Sequence, residues 1–379
     1  MWAHIFFICL SILAMEGFSQ SEEEKNWSIN GYVKDLLSVN FSGDSSIYDN
    51  LIHNRINYKW FPNDELNIHI EIRNRFFWGE TVKAIPNYGA FIDVNNDYLD
   101  LSVQTGEKSV LLHAMIDRAF FEWYKDDWEV RLGRQRINWG INLVWNPNDL
   151  FNAYSFFDFD FEERPGSDAI RIKHYTGVAS SLEIASNVAE DFDQQVIAGM
   201  WKWNKWNYDF QFLAGKAQED IALGFGWAGN LKNAGFKGEI THFNSYNDET
   251  KSLLASVAVD YSFESSLYFN GSVLFNSGAS DGTENVNLFS PERLTAKTIS
   301  PFRYATFLQT SYSFHPLING GLSTIYYPGE KDALFINPSV SISLKSNLDV
   351  NFLSQLYFEK QERYAARAKL LFLRVKWSF

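Results

Sequence analysis

The sequence is poor in residues that cross-link a chain, kink it or carry it through a membrane as a helix. Its 379 residues include one cysteine and nine prolines, and no long apolar run follows the first twenty residues. A membrane-spanning helix needs about 20 consecutive apolar residues. The chain is therefore neither a disulfide framework nor a bundle of membrane helices.

Basic residues are also outnumbered. The chain carries 33 Lys and Arg against 46 Asp and Glu, which gives a formal net charge of -13. This balance argues against a nucleic-acid partner. A hydrophobic content of 46% argues equally against a disordered chain.

Motifs of catalysis and metal binding are missing as well. The sequence contains no HExxH, GxSxG or phosphate-binding loop pattern, and its seven histidines are scattered. We therefore expect no enzyme, no cofactor and no metal site.

Aromatic residues, by contrast, are abundant. They make up 17% of the chain, with 33 Phe, 18 Tyr and 13 Trp, which is more than a core requires. Several flank predicted tight turns, among them Trp60, Trp123 and Trp203. This placement predicts an aromatic belt at a membrane interface.

The N-terminus has the pattern of an export signal. Residues 5–14 form an apolar block, which is followed by the small-residue stretch Gly17-Phe18-Ser19-Gln20. We expect residues 1–20 to be a signal peptide and residues 21–379 to form one domain. Cys9 lies inside the apolar block and not at the cleavage point, so a lipid anchor is not expected.

The rest of the chain alternates apolar and polar residues, as in residues 66–73, where four aliphatic residues face one way and four polar residues the other. This period indicates strands with two unlike faces. We predict eighteen strands, with sixteen as the fallback number, near residues 27–38, 50–60, 66–77, 115–124, 128–138, 168–175, 179–188, 194–203, 207–216, 221–230, 234–243, 252–263, 267–276, 302–314, 318–327, 333–344, 348–359 and 365–379.

Connections alternate between tight turns, such as residues 204–205, and longer links, such as residues 80–114 and 141–167. This alternation is typical of membrane barrels, so the predicted fold is all-β: a single transmembrane antiparallel β-barrel. At this strand number the barrel encloses a water-filled channel. The last nine residues, Leu-Phe-Leu-Arg-Val-Lys-Trp-Ser-Phe, resemble the C-terminal signature of bacterial outer-membrane barrels. The resemblance implies a place in the outer membrane, contact with its lipids and lipopolysaccharide, and recognition by the barrel assembly machinery through Phe379.

Strand phasing predicts a basic wall on the inner face of five consecutive strands, the second to the sixth. We expect the phase to slip at Gly133, as at a glycine bulge. Among the acids on this wall are Glu71, Glu122 and Glu129. The alternative is that these bases are merely solvated or paired with neighbours. The predicted wall comprises Arg55, Lys59, Arg73, Arg75, Arg118, Arg131, Arg134, Arg136, Arg171 and Lys173.

The link after the fifth strand carries the opposite charge, interleaved with five aromatic residues. So many rings would be poorly placed in a loop surrounded by water. We expect the loop to fold into the barrel and to set its acids opposite the basic wall, where the field would sort charged solutes. A lid over the mouth is the alternative. The acids are Asp158, Asp160, Glu162, Glu163 and Asp168.

At this loop the chain reads GRQRINWG over residues 133–140 and NPNDLF over residues 146–151. The pattern is similar to one found in porin-like outer-membrane barrels and, more loosely, in alginate-export-type barrels. The resemblance implies that Arg134 and Arg136 lie on the pore wall. It places Asn146, Pro147 and Asp149 at the root of the inserted loop.

These features predict a porin-like channel for passive passage of small hydrophilic solutes, most of all anions. A conduit that exports an acidic polysaccharide is the first alternative, because it would use the same basic wall. A hydrolase at the barrel rim is the second, and it would use one of four histidines near hydroxyls or acids. They are His113, His174, His242 and His315. Neither a monomer nor a trimer is favoured.

Overall fold

The structure is a computed structural model. It describes residues 25–42, 45–93, 98–154, 156, 164, 166–279, 294–329, 332–360 and 363–379. The predicted signal peptide lies outside these ranges. Almost all of the described residues belong to strands or to the turns between them. No helix among them is long and apolar enough to cross a membrane.

The strands follow one another along the chain with two short helices between the third and fourth. The helices are α1 (Glu80–Ala84) and α2 (Tyr88–Ile92), and a 3-10 turn spans Phe192–Gln194. The strands are β1 (Trp27–Ser42), β2 (Ser45–Asn63), β3 (Leu66–Gly79), β4 (Ser102–Glu107), β5 (Val110–Lys125), β6 (Trp128–Gln135), β7 (Ser167–Gly177), β8 (Ser180–Asn187), β9 (Val196–Lys205), β10 (Tyr208–Ala217), β11 (Asp220–Leu231), β12 (Ala234–Ser245), β13 (Lys251–Ser262), β14 (Leu267–Asn276), β15 (Tyr304–His315), β16 (Ile318–Tyr327), β17 (Ala333–Lys345), β18 (Leu348–Lys360) and β19 (Tyr364–Ser378).

The sheet closes on itself. Each strand of the ring pairs antiparallel with the next ring strand along the chain. Because β4 is not part of the ring, β3 pairs with β5, and β19 pairs with β1 to close it. At the seam Gly31 and Phe379 exchange two backbone hydrogen bonds of 2.9 and 3.0 Å. The predicted antiparallel β-barrel is confirmed, and eighteen of the nineteen strands form the ring.

The strand outside the ring is β4. It lies in the link between residues 80 and 114, which was predicted to be a loop. It pairs with residues 110–115 of β5. Residues 119–125 on the same edge of β5 pair with β6. Because β6 ends at Gln135, the upper part of that edge would otherwise have no partner. An exposed strand edge is a pairing and aggregation hazard, and β4 covers it.

The two faces of the wall differ as the alternation requires. On β3, Ile70 and Ile72 point outward with more than a third of their surface exposed, whereas Arg73 points inward and is buried. Outside the barrel, near a tight turn, the rings of Trp201 and Trp203 stack at 4.4 Å. This arrangement suits a membrane interface, where aromatic rings concentrate.

One predicted turn is displaced by two residues. The turn was predicted at residues 204–205, but it is formed by Trp206 and Asn207, with φ of 57° and 60°. Two consecutive left-handed residues make the turn that matches the twist of a hairpin. Pairing of Lys205 with Tyr208 across the hairpin sets this position.

Candidate constriction and pore wall

After β6 the chain turns into the barrel. We call residues 136–154 the inward segment. Most of its side chains are buried; Ile137 is 0% exposed and Trp139 1%. The backbone amide of Ile137 donates to Asn152 Oδ1 at 2.8 Å, and Asn152 Nδ2 donates to Ser167 Oγ at 3.1 Å. The two ends of the segment therefore meet beside the start of β7.

Between these ends the segment follows the inner wall of the barrel. Trp139 and Phe151 meet edge to face at 5.1 Å and pack on inward residues of β8 to β13. Farther along, Trp145 lies edge to face with Phe307 at 6.4 Å, in a cluster with side chains of β14 to β18. The lumen is therefore narrowed from the side opposite the basic strands.

Polar contacts orient the segment as well. Trp139 Nε1 donates to Glu183 Oε1 at 2.6 Å, and Gln211 Nε2 donates to the Trp139 carbonyl at 2.8 Å. Asn148 Nδ2 donates to the carbonyl of Phe225 at 3.2 Å, and Asn148 Oδ1 accepts from Thr241 Oγ1 at 2.6 Å. These contacts satisfy the buried polar atoms of the Trp139 and Asn148 side chains.

The wall makes room for the segment at β11, whose inward positions are small. A Cβ added to Gly224 would lie 2.7 Å from Asn148 Oδ1, and one added to Gly226 would lie 2.7 Å from Ile141 Cδ1. Sequence reasoning missed this docking surface. The signal was present, because alternate residues Ala222, Gly224, Gly226 and Ala228 are small where an empty lumen would not require it.

A larger residue at this surface should displace the segment. We expect Gly226→Leu to raise single-channel conductance and current noise in a planar bilayer, because the added side chain and Ile141 cannot occupy the same space. Gly229→Leu is the matched control on the outward face of the same strand, where Tyr208 lies over the glycine. Equal conductance of Gly226→Leu and the wild type would contradict the docking surface.

The three residues that the motif resemblance placed at the loop root all lie in the inward segment. Asn146, Pro147 and Asp149 are buried. The Trp139 backbone amide donates to Asp149 Oδ1 at 3.4 Å. Burial raises the pKa of Asp149, on this link between strands, to about 6. The segment therefore holds a carboxyl group that is easily neutralised.

The predicted basic residues fall into two groups by burial. Arg55, Arg73, Arg75, Arg118 and Arg134 are buried. The half-buried group consists of Lys59, Arg131, Arg136, Arg171 and Lys173. Nearly all of them lie on the strands, and Arg136 lies one residue beyond β6.

The centre of the wall is an ion-pair cluster around Asp117, a residue that sequence reasoning missed. Asp117 Oδ2 lies 2.7 Å from Arg55 Nη1 and 3.4 Å from Arg118 Nη1, and Asp117 Oδ1 lies 4.0 Å from Arg73 Nη2. Glu71 pairs with Arg55 from the other side. Three guanidinium groups thus surround one buried acid.

A bulge creates this cluster. Pairing of β3 with β5 skips one residue, since Glu71 pairs with Arg118 and Ile72 with Ile116. Asp117 is the extra residue, so Asp117 and Arg118 both turn inward although they are adjacent. The alternation in the sequence predicted the slip at Gly133. There the pairing of β6 runs on without a shift, and Gly133 instead adopts φ of 120°.

Arg134, two residues before the inward segment, is held inside the wall. It donates from Nε to Asp168 Oδ1 and from Nη2 to Asp168 Oδ2, both at 2.9 Å. It also donates to the carbonyls of Ile116 and Leu99. Asp168, one of the five predicted loop acids, is thus the second residue of β7 and part of this pair.

A second pair network lies nearer the tight turns. Arg131 Nε contacts Glu122 and lies 3.1 Å from Glu129 Oε1, and Arg171 Nη2 contacts Glu129. Tyr175 donates from its hydroxyl to Glu129 Oε2 at 2.6 Å. The wall therefore carries more basic than acidic side chains, and Glu129 pairs with two of the bases.

Above the Asp117 cluster the wall extends to strands that the sequence analysis left out. Cross-strand pairing aligns one inward row of five basic residues from β19 through β1, β2 and β3 to β5. The alternation of β1 and β19 carried the signal for the two lysines. The row consists of Lys376, Lys34, His53, Arg75 and His113.

The remaining loop acids, Asp158, Asp160, Glu162 and Glu163, lie outside the described residues. Two residues beside them are described. The ring of Phe156 lies edge to face with Phe307 at 5.0 Å, inside the barrel. The guanidinium of Arg164 lies 3.0 Å from the ring centre of Tyr154. Phe156 therefore lies on the lumen side of the wall.

Comparison with protein-family models gives no match, and no curated protein matches. Solved structures do match. OprD of Pseudomonas aeruginosa is similar with a TM-score of 0.59 at 8% identity, over 96% of this chain and 98% of that chain. OccAB3 of Acinetobacter baumannii is similar with a TM-score of 0.58 at 10% identity, over 93% and 99%. The chain has the porin fold.

A BenF-like porin from Pseudomonas fluorescens Pf-5 shares the porin fold too, with a TM-score of 0.58 at 9% identity, over 93% of this chain and 98% of that chain. These similarities cover nearly the whole barrel. They agree with the porin-like resemblance at the level of fold.

Proposed function

We propose that the protein is a porin-like channel of the bacterial outer membrane, through which small hydrophilic anions pass passively. The observation that carries the proposal is the arrangement of the lumen. One side is lined by basic rows on β19, β1, β2, β3, β5, β6 and β7, and the other is narrowed by the inward segment. Lumen charges at a constriction select solutes by sign.

The two alternatives fit the lumen less well. Export of a polysaccharide needs a wide path, but the inward segment packs from β8 to β18. A rim hydrolase needs a nucleophile held by a base. Two of its candidate histidines serve local contacts: His174 stacks on Trp128 at 4.3 Å, and His315 Nδ1 accepts from the Leu317 amide at 3.2 Å. We therefore do not propose an enzyme.

The proposal includes the partners that the resemblance implies. Outer-membrane lipids and lipopolysaccharide would cover the apolar outward face, and the assembly machinery would recognise the last strand, which ends in Phe379. Residues 1–20 would direct export before removal. The exposed outward rows, such as Leu322 and Phe352, support a lipid-facing surface.

The test is ion selectivity of the purified protein in a planar bilayer. In a potassium chloride gradient, the reversal potential should lie closer to the equilibrium potential of chloride than to that of potassium. Neutralising Lys59 and Lys173 together, as Lys59→Gln and Lys173→Gln, should lower the chloride preference about twofold, because both lie on the lumen face.

The control neutralises two exposed lysines, Lys205→Gln at the end of β9 and Lys232→Gln on the turn after β11, which removes the same charge outside the lumen. This pair should leave the reversal potential unchanged. A cation-selective wild type, or equal shifts in the two double variants, would contradict the proposed basic pore.

A further inference from the structure

Glu239 on β12 faces the lumen and is 0% exposed. Its carboxylate accepts three backbone hydrogen bonds from the inward segment. Oε1 accepts from the amides of Ile141, at 2.5 Å, and Asn142, at 2.9 Å, and Oε2 accepts from the amide of Asn148 at 2.9 Å. One wall residue therefore binds the segment on both sides of residues 143–147.

We propose that Glu239 is the positioning residue of the constriction. Together with the three amides it forms what we call the Glu239 anchor, which keeps the inward segment fixed against β11 to β13. The inference rests on the proposed channel function, because it assigns the rigidity of that channel's constriction to one carboxylate. The segment is then a fixed part of the pore and not a gate.

The chemistry favours a carboxylate at this position. Backbone amides that turn toward one point form an anion-binding concavity, and a carboxylate supplies two oxygens with room for several donors. Hydrogen bonds to an ionised acceptor are shorter and stronger than neutral ones. A glutamine would retain one acceptor oxygen and would place an NH2 group against the Asn148 amide.

The other wall contacts hold the segment at single points. Glu183 and Gln211 both hold Trp139, near the start of the segment. Thr241 holds the side chain of Asn148. Glu239 alone among these four side chains joins residues 141–142 to residue 148, so its loss should loosen the whole turn between them.

The turn between these amides provides two adjacent reporters of opposite burial. Val144 is 4% exposed and packs in the second apolar cluster, whereas Leu143 is 43% exposed. The experiment introduces Val144→Cys or Leu143→Cys into a background with Cys9→Ala. It measures the rate of labelling by a sulfonated maleimide, which does not cross membranes.

We expect Leu143→Cys to label rapidly in every background, and Val144→Cys to be protected when Glu239 is present. Glu239→Gln should speed labelling of Val144→Cys about tenfold, because the loss of a charge-assisted contact raises the population of the undocked segment. Glu239→Asp retains the charge but withdraws it by one methylene, and it should give an intermediate rate.

The matched control is Asp260→Asn on β13. Asp260 lies on the lumen face and pairs with Lys237 at 3.1 Å, so the variant removes the same charge without touching the segment. Protection of Val144→Cys should be unchanged. Folding of each variant is checked by SDS gel electrophoresis, in which the folded barrel migrates faster before heating than the unfolded chain does after heating. If Glu239→Gln does not fold, the Glu239→Asp rate decides.

Protection at the wild-type rate in folded Glu239→Gln, or equal deprotection by Asp260→Asn, would overturn the anchor. Labelling does not depend on solute passage. A protein that shows the expected labelling but conducts no ions would overturn the proposed channel and leave the anchor standing. A conducting protein with unchanged labelling would do the reverse.

Discussion

Replacement of residues 139–150 by Gly-Ser-Gly should yield a folded barrel whose single-channel conductance is several-fold higher than that of the wild type. The ends of the inward segment already meet, since the Ile137 amide binds Asn152 Oδ1 at 2.8 Å. A short linker can therefore join them. The ladder of the wall is made between neighbouring strands and does not pass through the segment.

The effect should be large because the segment occupies the space that makes this barrel narrow. An eighteen-stranded barrel without an insertion leaves an aqueous channel. Here two apolar clusters extend the packing from β8 to β18. The anion preference should also weaken, since solutes could then pass far from the basic wall, beyond the screening length of about 8 Å.

Planar-bilayer recordings measure both quantities. The control replaces residues 246–249, in the exposed link between β12 and β13, by the same Gly-Ser-Gly. It should conduct like the wild type. If the shortened protein folds and its conductance is unchanged, the inward segment is not the constriction.

Loss of the Asp117 carboxylate should destabilise the barrel more than other single changes on its wall. Asp117 is 2% exposed and lies among three guanidinium groups. Removal of one partner from a buried ion pair costs about 3–5 kcal/mol, because the opposite charge stays buried. We expect Asp117→Ala to lower the urea concentration at which half of the protein is unfolded.

The comparison variant is Asp127→Ala, on the exposed turn at the end of the same hairpin, which should change stability by less than about 0.5 kcal/mol. A double variant adds a neutral partner: Arg73→Met with Asp117→Ala should recover part of the loss, because fewer like charges then share the site. Equal midpoints for Asp117→Ala and Asp127→Ala would show that the cluster does not stabilise the wall.

The strands could be predicted because alternation is a local property. Each strand crosses between water and lipid, so its two faces must differ residue by residue, whatever its neighbours are. The predicted strand at residues 318–327 and that at residues 267–276 match the structure at both ends. The five rings within residues 154–161 likewise predicted that the loop leaves the water. Of these, the structure places Phe156 inside the barrel, where Trp145, earlier in the same loop, also lies.

The site depends on pairing across strands, which a local pattern does not contain. Asp117 and Arg118 both face inward only because β5 bulges against β3. Lys376 joins Lys34 and Arg75 in one row only because β19 closes on β1, more than 300 residues away in sequence.

The sequence by itself determined the β-barrel, its eighteen ring strands and the inward course of the loop, since burial of each residue against lipid or water is decided by its own polarity and that of its neighbours two positions away. Only the tertiary structure decided which bases share an acid, that β4 covers the edge left by β6, and that Glu239 holds the inward segment. These contacts join residues far apart in the chain. Their geometry is set by register and closure, and a one-residue shift would send each side chain to the other face.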